Sequence, residues 1–236
     1  MITVTIAILA YNEGKSISSI IGRLRETFVQ NSSVRLKIVV VDNGSRDNTT
    51  EVLKQLTETD KDLSWITIPV NKGYGHGVKK GIQGLSGDIV GFMWGDNQFD
   101  ASILQEMVEL FRRDVQVQFV KTYREKRLDG RLRLVVSKIY QMVFNILFHT
   151  HIRDINSGPK LFRYNFAQQM IPYLTATDWF IDAEMMIYST SHLTPEQYAE
   201  LPIVFYPRKY GKSNVRFSAC WQFFKNLLIR KFIRPI

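Results

Sequence analysis

Short apolar runs alternate with amphipathic segments along the first 120 residues. The apolar runs predict buried β-strands at 2–9, 36–41, 63–69, 88–94 and 115–120. The segments between them carry apolar residues at helical spacing and predict helices at 16–28, 49–56, 75–85 and 101–111. This alternation is typical of an α/β fold in which helices flank a mostly parallel sheet.

The pattern changes after Lys121. Residues 121–133 are polar and rich in arginine, and residues 153–160 are rich in turn formers. Helical spacing of apolar residues predicts helices at 134–148, 178–188 and 217–232, and a strand is predicted at 201–206. We therefore divide the chain into residues 1–120, residues 121–214 and a tail at 215–236.

Composition limits the possible classes. The length of 236 residues and the apolar content of 45% fit one large domain with a core of its own. The single cysteine, Cys220, excludes an internal disulfide and any multi-cysteine metal site, and it suits a reducing compartment. The first apolar run has no basic leader, and no apolar stretch is long enough to span a membrane. We expect a cytoplasmic location.

Charge is distributed unevenly between the two halves. Residues 1–120 carry a net charge of −1 and residues 121–236 a net charge of +10. From Ile203 to the end there are eight basic residues and no acidic one. This asymmetry favours a polyanionic partner, such as phosphate groups, an anionic membrane surface or nucleic acid. The alternative is a solvated basic surface that aids solubility.

Polar residues follow three of the predicted strands, at 10–13, 42–45 and 95–98. Carboxyl ends of strands line the ligand crevice of an open α/β sheet, so these segments predict one composite pocket. Asp96 and Gln98 lie two residues apart, so both can face one side and bind Mg²⁺ or Mn²⁺ through oxygen. A surface turn after the strand is the alternative.

The first two strand ends fit contacts to a nucleoside. Asp42 can accept from a ribose hydroxyl or a base N–H, and Tyr11, Asn12 and Glu13 follow the first strand. The alternative is helix capping, a role that Asp47 can fill in place of Asp42.

Residues 71–77 carry three glycines and open a predicted helix. Backbone amides can approach a phosphate closely at such a position, although glycine spacing alone is a weak signal. We expect His76 to form local hydrogen bonds.

The cationic second half predicts phosphate recognition, because the guanidinium fork suits bidentate contacts. The candidates are Arg124, Arg127, Arg131, Arg133, Ser137, Arg208, Lys209 and Lys212. A flexible solvated loop is the alternative, and no nucleic-acid reader motif is present, so we do not expect a nucleic-acid partner. The segments 134–148 and 217–233 mix bulky apolar with basic residues and predict membrane-interface helices, although 134–148 fits core packing nearly as well.

The ordered set of motifs resembles the inverting GT-A glycosyltransferases of family 2. The resemblance runs from Thr3 to about Asn214, and its closest members are the polyprenol-phosphate (dolichol-phosphate) mannosyl- and glucosyltransferases. It is carried by Ala-Tyr-Asn-Glu at 10–13, Val-Val-Asp-Asn-Gly-Ser-Arg-Asp-Asn-Thr at 40–49, Asn-Lys-Gly-Tyr-Gly at 71–75, Gly-Asp-Asn-Gln at 95–98, Asp-Ile-Asn-Ser-Gly-Pro-Lys-Leu-Phe at 154–162 and Arg-Lys-Tyr-Gly-Lys-Ser at 208–213.

The resemblance implies a GT-A, Rossmann-like catalytic domain at 1–214 and a role for each matched position. Residues 1–120 would bind the nucleotide sugar, residues 121–214 the acceptor, and the tail at 215–236 a membrane. The implied nucleotide contacts are Ala10, Tyr11, Asn12, Glu13, Asp42, Lys72, Gly73 and Gly95. Asp96 and Gln98 match the metal ligands, and Arg124, Arg133, Ser137 and Arg208 match the acceptor-phosphate pocket. The catalytic set is Asp96, Arg133 and Arg208.

Other positions match or depart from the family pattern. Asp182 and Glu184 match an acidic pair in the helix after the acceptor loop. Trp94 replaces the first aspartate of the metal segment, and Asn43 replaces the second of two paired aspartates. The frequent C-terminal spanning helices of the family are absent, and the basic aromatic tail would substitute by lying on the membrane.

These residues predict transfer of a hexose from a GDP-mannose or UDP-glucose type donor to a polyprenyl phosphate, at the cytoplasmic face of a membrane. A glycan or glycolipid hydroxyl is the first alternative acceptor, and it would need Asp154 or Asp182 as a base. The second alternative is a catalytically silent basic module that binds membrane or nucleic acid.

Overall fold

The computed structural model describes residues 1–29, 31–127, 131–207 and 218–233, without the side chains of 127, 131–135 and 218–221. Its strands are β1 (Ile2–Ala10), β2 (Val34–Asp42), β3 (Leu63–Thr67), β4 (Ile89–Trp94), β5 (Phe119–Arg127), β6 (Lys160–Arg163) and β7 (Tyr198–Phe205). Its helices are α1 (Ile17–Phe28), α2 (Thr49–Thr59), α3 (Tyr74–Gln83), α4 (Ile103–Arg113), α5 (Arg131–Phe148), α6 (Tyr164–Met170), α7 (Ile181–His192) and α8 (Ser218–Phe232). Short 3₁₀ turns cover Ile171–Tyr173 and Pro195–Gln197.

The strands form one mixed sheet in the order β3-β2-β1-β4-β6-β5-β7. Strands β1 to β4 are parallel, and in register Ala10 lies opposite Asp42 while Leu9 lies opposite Trp94. β6 runs antiparallel to both β4 and β5, so its first residue, Lys160, lies opposite Phe92 near the carboxyl end of β4. β7 pairs parallel with β5. The carboxyl ends of β1, β2, β4, β5 and β7 therefore share one edge.

Alternating side chains of the sheet divide the core into two layers. Ile6 and Ile8 of β1 belong to a cluster with apolar residues of α1 and α4, whereas Ala7 belongs to a second cluster. This second cluster takes its residues from α3, α5, α6, α7 and α8. The predicted sheet with helices on both faces, the GT-A architecture, is confirmed.

The second half departs from expectation at two strands. We predicted a strand at 115–120 and a polar segment after it, but β5 runs from Phe119 to Arg127 because pairing with β7 continues to the end of both strands. Arg124 therefore lies on a strand. β6 was not predicted, because it has four residues and begins with a lysine.

Helices α5 and α8 pack against each other through aromatic side chains. The ring of Tyr140 lies 5.8 Å from the rings of both Phe223 and Phe224. Phe223 and Leu227 are buried in this contact. Part of each helix therefore belongs to the hydrophobic core. For residues 134–148, core packing was the alternative to a membrane-interface helix. Within the described ranges, no helix is long and apolar enough to cross a membrane.

Candidate functional site

The loops that follow β1 and β2 are joined by hydrogen bonds at the carboxyl edge of the sheet. Asn12 donates its backbone N–H to Ser45 Oγ at 2.9 Å, and its Oδ1 accepts from the Arg46 N–H at 2.7 Å. The Glu13 N–H donates to Thr49 Oγ1 at 3.1 Å. Asn12 adopts a positive φ of 57°, a conformation that asparagine tolerates well. The predicted nucleotide-contact segments 10–13 and 42–45 therefore lie side by side.

Asp42 is buried and its carboxylate holds the loop behind it. Oδ1 accepts from the Ser45 N–H at 2.9 Å, and Oδ2 accepts from Thr50 Oγ1 at 2.8 Å. Asp47 accepts from the Thr49 N–H at 3.1 Å, which supports the start of α2 as expected. The expectation that Asp47 leaves Asp42 free was nevertheless wrong, because the Thr50 hydroxyl of the first turn reaches back to Asp42.

Asn43 connects these loops to the glycine-rich segment before α3. Its N–H donates to the Ala10 carbonyl at 2.9 Å, and its Nδ2 donates to the Gly73 carbonyl at 3.1 Å. From the sequence, Asn43 is notable only because it replaces the second of two paired aspartates in the family pattern. An amide can donate to a carbonyl, whereas an aspartate carboxylate cannot. Lys72, the neighbour of Gly73, is exposed.

The loop after β4 joins the same group. The Ser16 hydroxyl lies 2.6 Å from Glu13 Oε2 and 3.2 Å from the Gly95 carbonyl, so it connects the first loop to the end of β4. The Gly95 N–H donates to the Leu9 carbonyl at 2.9 Å. The structure thus brings together the segments that hold Ala10, Tyr11, Asn12, Glu13, Asp42, Gly73 and Gly95. Their use as one nucleotide pocket stays a prediction.

Asp96 and Gln98 offer a sparse donor set for a divalent cation. Gln98 is buried, and its Nε2 donates to the Tyr206 carbonyl at 2.7 Å, which fixes the amide beyond the end of β7. Among the described residues, no three His, Cys, Asp or Glu side chains form a metal-binding cluster. Mg²⁺ commonly uses one or two carboxylates and takes its other ligands from substrate phosphates. We expected 96–98 to be extended, but a turn at 95–96 and the positive φ of 58° at Asn97 break that geometry. Carboxylate and amide oxygens are suitable ligands for such a cation, and the role of Asp96 and Gln98 stays a prediction.

Trp94, in place of the first aspartate, belongs to an aromatic cluster. Its Nε1 donates to Tyr74 Oη at 3.1 Å, and its ring lies edge-on to Phe205 at 5.9 Å. Tyr74 stacks on Trp179 with ring centroids 3.9 Å apart. Burial, and then the negative charge of Asp182, raise the pKa of Tyr74 well above its ordinary value. The hydroxyl therefore remains protonated.

A fully buried ion pair lies beside this cluster. Lys160 Nζ lies 2.6 Å from Asp182 Oδ1, and both side chains are inaccessible to solvent. Among the described residues, Oδ2 of Asp182 has no hydrogen bond of ordinary geometry, but the Tyr74 hydroxyl is close enough to favour the charged carboxylate. Burial raises the pKa of Asp182 and outweighs the opposing attraction of Lys160. Lys160 was not predicted as a site residue, because nothing in a four-residue strand indicates its partner.

Arg124 is held by Asp154 in a bidentate ion pair. Arg124 Nε lies 2.6 Å from Oδ2 and the terminal guanidinium nitrogen 2.6 Å from Oδ1. Burial alone would raise the pKa of Asp154, but the contacts from Arg124 lower it to about 2. The charge of Arg124, a predicted acceptor-phosphate contact, is thus largely offset. Asp154 is also a weak base, which counts against it as the base for a hydroxyl acceptor.

Gly73 and Gly75, at the start of α3, meet protein backbone. A Cβ on Gly75 would lie 2.5 Å from the Ala176 carbonyl oxygen and 2.6 Å from that of Asp178. The His76 N–H donates to the Thr177 carbonyl at 3.3 Å. We predicted that these glycines allow a phosphate to approach, but the backbone of residues 176–178 lies against them instead. The first turn of α3 therefore has one amide already occupied. The local role expected of the His76 side chain stays a prediction.

Several predicted acceptor residues lie outside the described part of the chain. These are the side chains of Arg127, Arg131 and Arg133, and all of Arg208, Lys209 and Lys212. Ser137 is half-buried in the second turn of α5. The acceptor-phosphate pocket stays a prediction.

Comparison with known proteins supports the assignment that the motifs suggested. The family model for glycosyl transferase family 2 matches residues 5–171. A dolichyl-phosphate β-glucosyltransferase of Trichomonas vaginalis is 24% identical over 230 residues, which cover 91% of this chain and 66% of the relative. An undecaprenyl-phosphate 4-deoxy-4-formamido-L-arabinose transferase of Pseudomonas syringae is 30% identical over 141 residues, which cover 59% of this chain and 41% of the relative.

The fold is shared with a solved enzyme. Glucosyl-3-phosphoglycerate synthase of Mycobacterium tuberculosis, in complex with Mn²⁺, UDP-glucose and phosphoglyceric acid, superposes with a TM-score of 0.75 at 17% identity. The match covers 100% of this chain and 81% of that one. The chain spans less than two thirds of the length of the two curated relatives. With the family model matching most of its length, the chain belongs to glycosyl transferase family 2.

Proposed function

We propose that the chain transfers a hexose from a nucleotide diphosphate sugar to a polyprenyl phosphate, with inversion at the anomeric carbon. The observation that carries this proposal is the joining of the loops after β1, β2 and β4 at the carboxyl edge of the sheet. In open α/β sheets, ligands bind at this edge. The names of the curated relatives, which transfer sugars to dolichyl and undecaprenyl phosphate, support the acceptor class.

The donor nucleotide lies across the joined loops in this proposal. Residues 10–13, Asp42 and Gly95 surround the nucleoside, and Lys72 and Gly73 contact the phosphates from the start of α3. Asp42 has local hydrogen bonds, but each carboxylate oxygen has a second lone pair that can accept from a ribose hydroxyl.

Asp96 and Gln98 would hold Mg²⁺ or Mn²⁺ together with the donor diphosphate. A bound cation supplies Lewis-acid neutralisation of charge on the leaving diphosphate. Gln98 is anchored to Tyr206, so its amide is oriented before the donor arrives. The Mn²⁺ in the structure of glucosyl-3-phosphoglycerate synthase supports the use of such a cation in this fold.

The acceptor phosphate would be held by Arg133, Arg208 and Ser137. Arg124 contributes less direct charge because Asp154 offsets it, and its ion pair shapes the pocket wall. A phosphate monoester is already an anion near neutral pH, so attack on the anomeric carbon needs no general base. Positioning the two charged reactants in line is then the main task of the protein.

One observation keeps a hydroxyl acceptor as a second candidate. Asp182 is buried, and burial raises its pKa. Such a carboxylate can serve as a general base for a hydroxyl. A transferred sugar that is released by mild acid indicates a phosphodiester, whereas a product that survives indicates a glycoside.

We also propose that the chain associates with the cytoplasmic face of a membrane through α5 and α8. Helix α5 exposes Met142 and Ile146, and α8 exposes Leu228 and Phe232, by 50% or more of each side chain. Lysines accompany them, and cationic amphipathic helices bind anionic lipid surfaces.

Calorimetry with UDP-glucose and GDP-mannose, each with and without Mn²⁺, tests the donor half of the proposal. We expect one of them to bind only with the cation, and we expect Asp96→Asn to abolish this cation-dependent binding.

Arg133→Ala should leave donor binding intact and remove transfer to a short-chain polyprenyl phosphate. Unchanged transfer by that variant would remove Arg133 from the acceptor site. A failure to bind either donor, with salt-sensitive binding of an oligonucleotide, would favour the silent basic module.

A further inference from the structure

The last described helix contacts a loop that reaches the candidate donor site. The Arg230 guanidinium in α8 donates to Glu184 Oε1, to Thr175 Oγ1 at 2.6 Å and to the Tyr173 carbonyl at 3.4 Å. Arg230 is 12% exposed and Glu184 2% exposed in this ion pair. A guanidinium with three acceptors in one place fixes the helix relative to the loop at 173–179, here called the linking loop.

Glu184 holds the same loop from α7. Its Oε2 accepts the N–H groups of Thr175 at 2.7 Å and Ala176 at 2.8 Å, and its Oε1 accepts from Thr175 Oγ1 at 2.8 Å. Buried carboxylates of this kind are costly to leave without partners. Glu184 therefore connects α7, α8 and the linking loop at one carboxylate.

The other end of the linking loop lies against the start of α3. The Thr177 carbonyl accepts the His76 N–H, and Gly75 leaves no room for a Cβ beside Ala176 and Asp178. Trp179 stacks on Tyr74, and Tyr74 accepts from Trp94, two residues before Asp96. A displacement of the linking loop would therefore move both the predicted phosphate-contact segment, 72–73, and the end of β4.

We propose that Glu184 and Arg230 are positioning residues, which set the donor site through the linking loop and make it depend on the placement of α8. This inference rests on the proposed function for the identity of the donor. The contacts themselves are independent of that identity. Neither residue lies at the loops where we place the nucleotide, so their effect on the donor would pass through Thr175, Thr177 and Trp179.

The test compares Arg230→Met, Arg230→Lys and Thr175→Val in the full chain. Arg230→Met keeps most of the length of the side chain and removes the charge, and Thr175→Val removes only the hydroxyl that Glu184 and Arg230 share. The control is Arg112→Met, which removes a guanidinium paired with Glu109 on the surface of α4. The measurements are the KM for the donor, the KM for the acceptor, and the near-UV circular dichroism of the ligand-free protein.

For Arg230→Met we expect the donor KM to rise about tenfold, within the range of coupling between contacting residues, and the acceptor KM to stay within about twofold. The aromatic dichroism should weaken, because Tyr74 and Trp179 no longer stack in one geometry. Arg230→Lys should recover part of both effects, Thr175→Val should show a smaller rise, and Arg112→Met should show none.

A purely structural role gives a different result. It would lower the active fraction and the melting temperature while the KM for the donor and the dichroism stay unchanged, and that result would overturn the inference. If Arg230→Met does not fold, Thr175→Val decides by the same criteria. If the wild type uses no donor, the proposed function fails, and the dichroism of the ligand-free variants alone still decides whether Arg230 positions the aromatic stack.

Discussion

Polar side chains at the carboxyl edge of the sheet form hydrogen bonds with the loops around them. The Asp42 carboxylate accepts from Ser45 and Thr50, and the Asn12 side chain accepts from Arg46. These bonds join groups of the protein to one another, so they order the loops from within the chain. A ligand that binds there does not bear the full entropy cost of ordering them. This pre-ordering is what the paired strand ends contribute to the candidate site.

The Arg124–Asp154 pair predicts a defined loss of stability. Asp154→Asn leaves the Arg124 charge with a weaker partner at a site where both side chains are about nine-tenths buried. We expect the free energy of unfolding to fall by about 2–4 kcal/mol near neutral pH. Urea unfolding of the variant and the wild type measures this directly. Equal midpoints would show that the pair contributes nothing.

The same pair predicts a pH dependence. The pKa of Asp154 is about 2 in the folded chain, below the unfolded value of about 4, so its stabilisation is complete above about pH 4. It is lost as the pH falls from about 4 to about 2. The difference between wild type and Asp154→Asn should therefore narrow over that range. A constant difference from pH 6 to pH 3 would contradict the assignment.

Trp94 predicts a gain of metal affinity upon substitution. Trp94→Asp places a second carboxylate at the last position of β4, two residues before Asp96 in the following turn. We expect Mn²⁺ to bind about tenfold more tightly in calorimetry with a nucleotide diphosphate, a factor worth about 1.4 kcal/mol. Trp94→Asn is the matched control, because it removes the same aromatic contacts without adding charge. Equal Mn²⁺ affinity of the two variants would place residue 94 away from the cation.

Residue identity could be predicted better than residue pairing. The polar ends of strands were visible in the sequence, since a carboxylate after an apolar run stands out. The pairs Arg124–Asp154 and Lys160–Asp182 were not, because partners 30 and 22 residues apart meet only in the folded chain. Asp154 lies in the loop before β6, and Asp182 lies in α7. The role of Asn43 was missed for the same reason.

At the scale of elements, the close contact between α3 and the linking loop leaves no room for a side chain at Gly75. Gly75→Ala would place a Cβ against two carbonyl oxygens, so we expect a loss of at least about 2 kcal/mol of unfolding free energy. Gly22→Ala in α1 is the control, since nothing lies within 4 Å of its Cβ position. There the higher helix propensity of alanine should stabilise by about 0.5–1 kcal/mol. Similar effects of the two changes, measured in urea, would rule out the close approach.

Elements in the first half were predictable because each long apolar run was a strand and each amphipathic segment a helix. Elements in the second half follow tertiary contacts. The polar extension of β5 is a strand because β7 pairs with it through Arg127 and Phe205. α6, at Tyr164–Met170, is too short to show helical periodicity. Local pattern therefore specified the first half of the sheet and left the second half underdetermined.

At the scale of the whole molecule, the basic half and the exposed apolar residues of α8 predict binding to anionic vesicles. Leu228→Ser and Phe232→Ser should each weaken binding about tenfold, because each removes apolar area worth about 1.5–3 kcal/mol when buried. Val115→Ser is the control, since Val115 is an apolar residue before β5 that is more exposed than either. Cosedimentation at low and high salt measures both contributions. Equal binding by all three variants would remove α8 from the membrane surface.

The most direct measurement is transfer itself, with radiolabelled GDP-mannose and UDP-glucose, a short-chain polyprenyl phosphate and Mn²⁺. We expect a lipid-extractable product that mild acid releases, formed by the wild type with one donor and lost in Asp96→Asn. A wild type that forms no such product with either donor, or an Asp96→Asn variant that forms it at the wild-type rate, would contradict the central claim that the joined strand ends bring a nucleotide sugar to an anionic lipid acceptor.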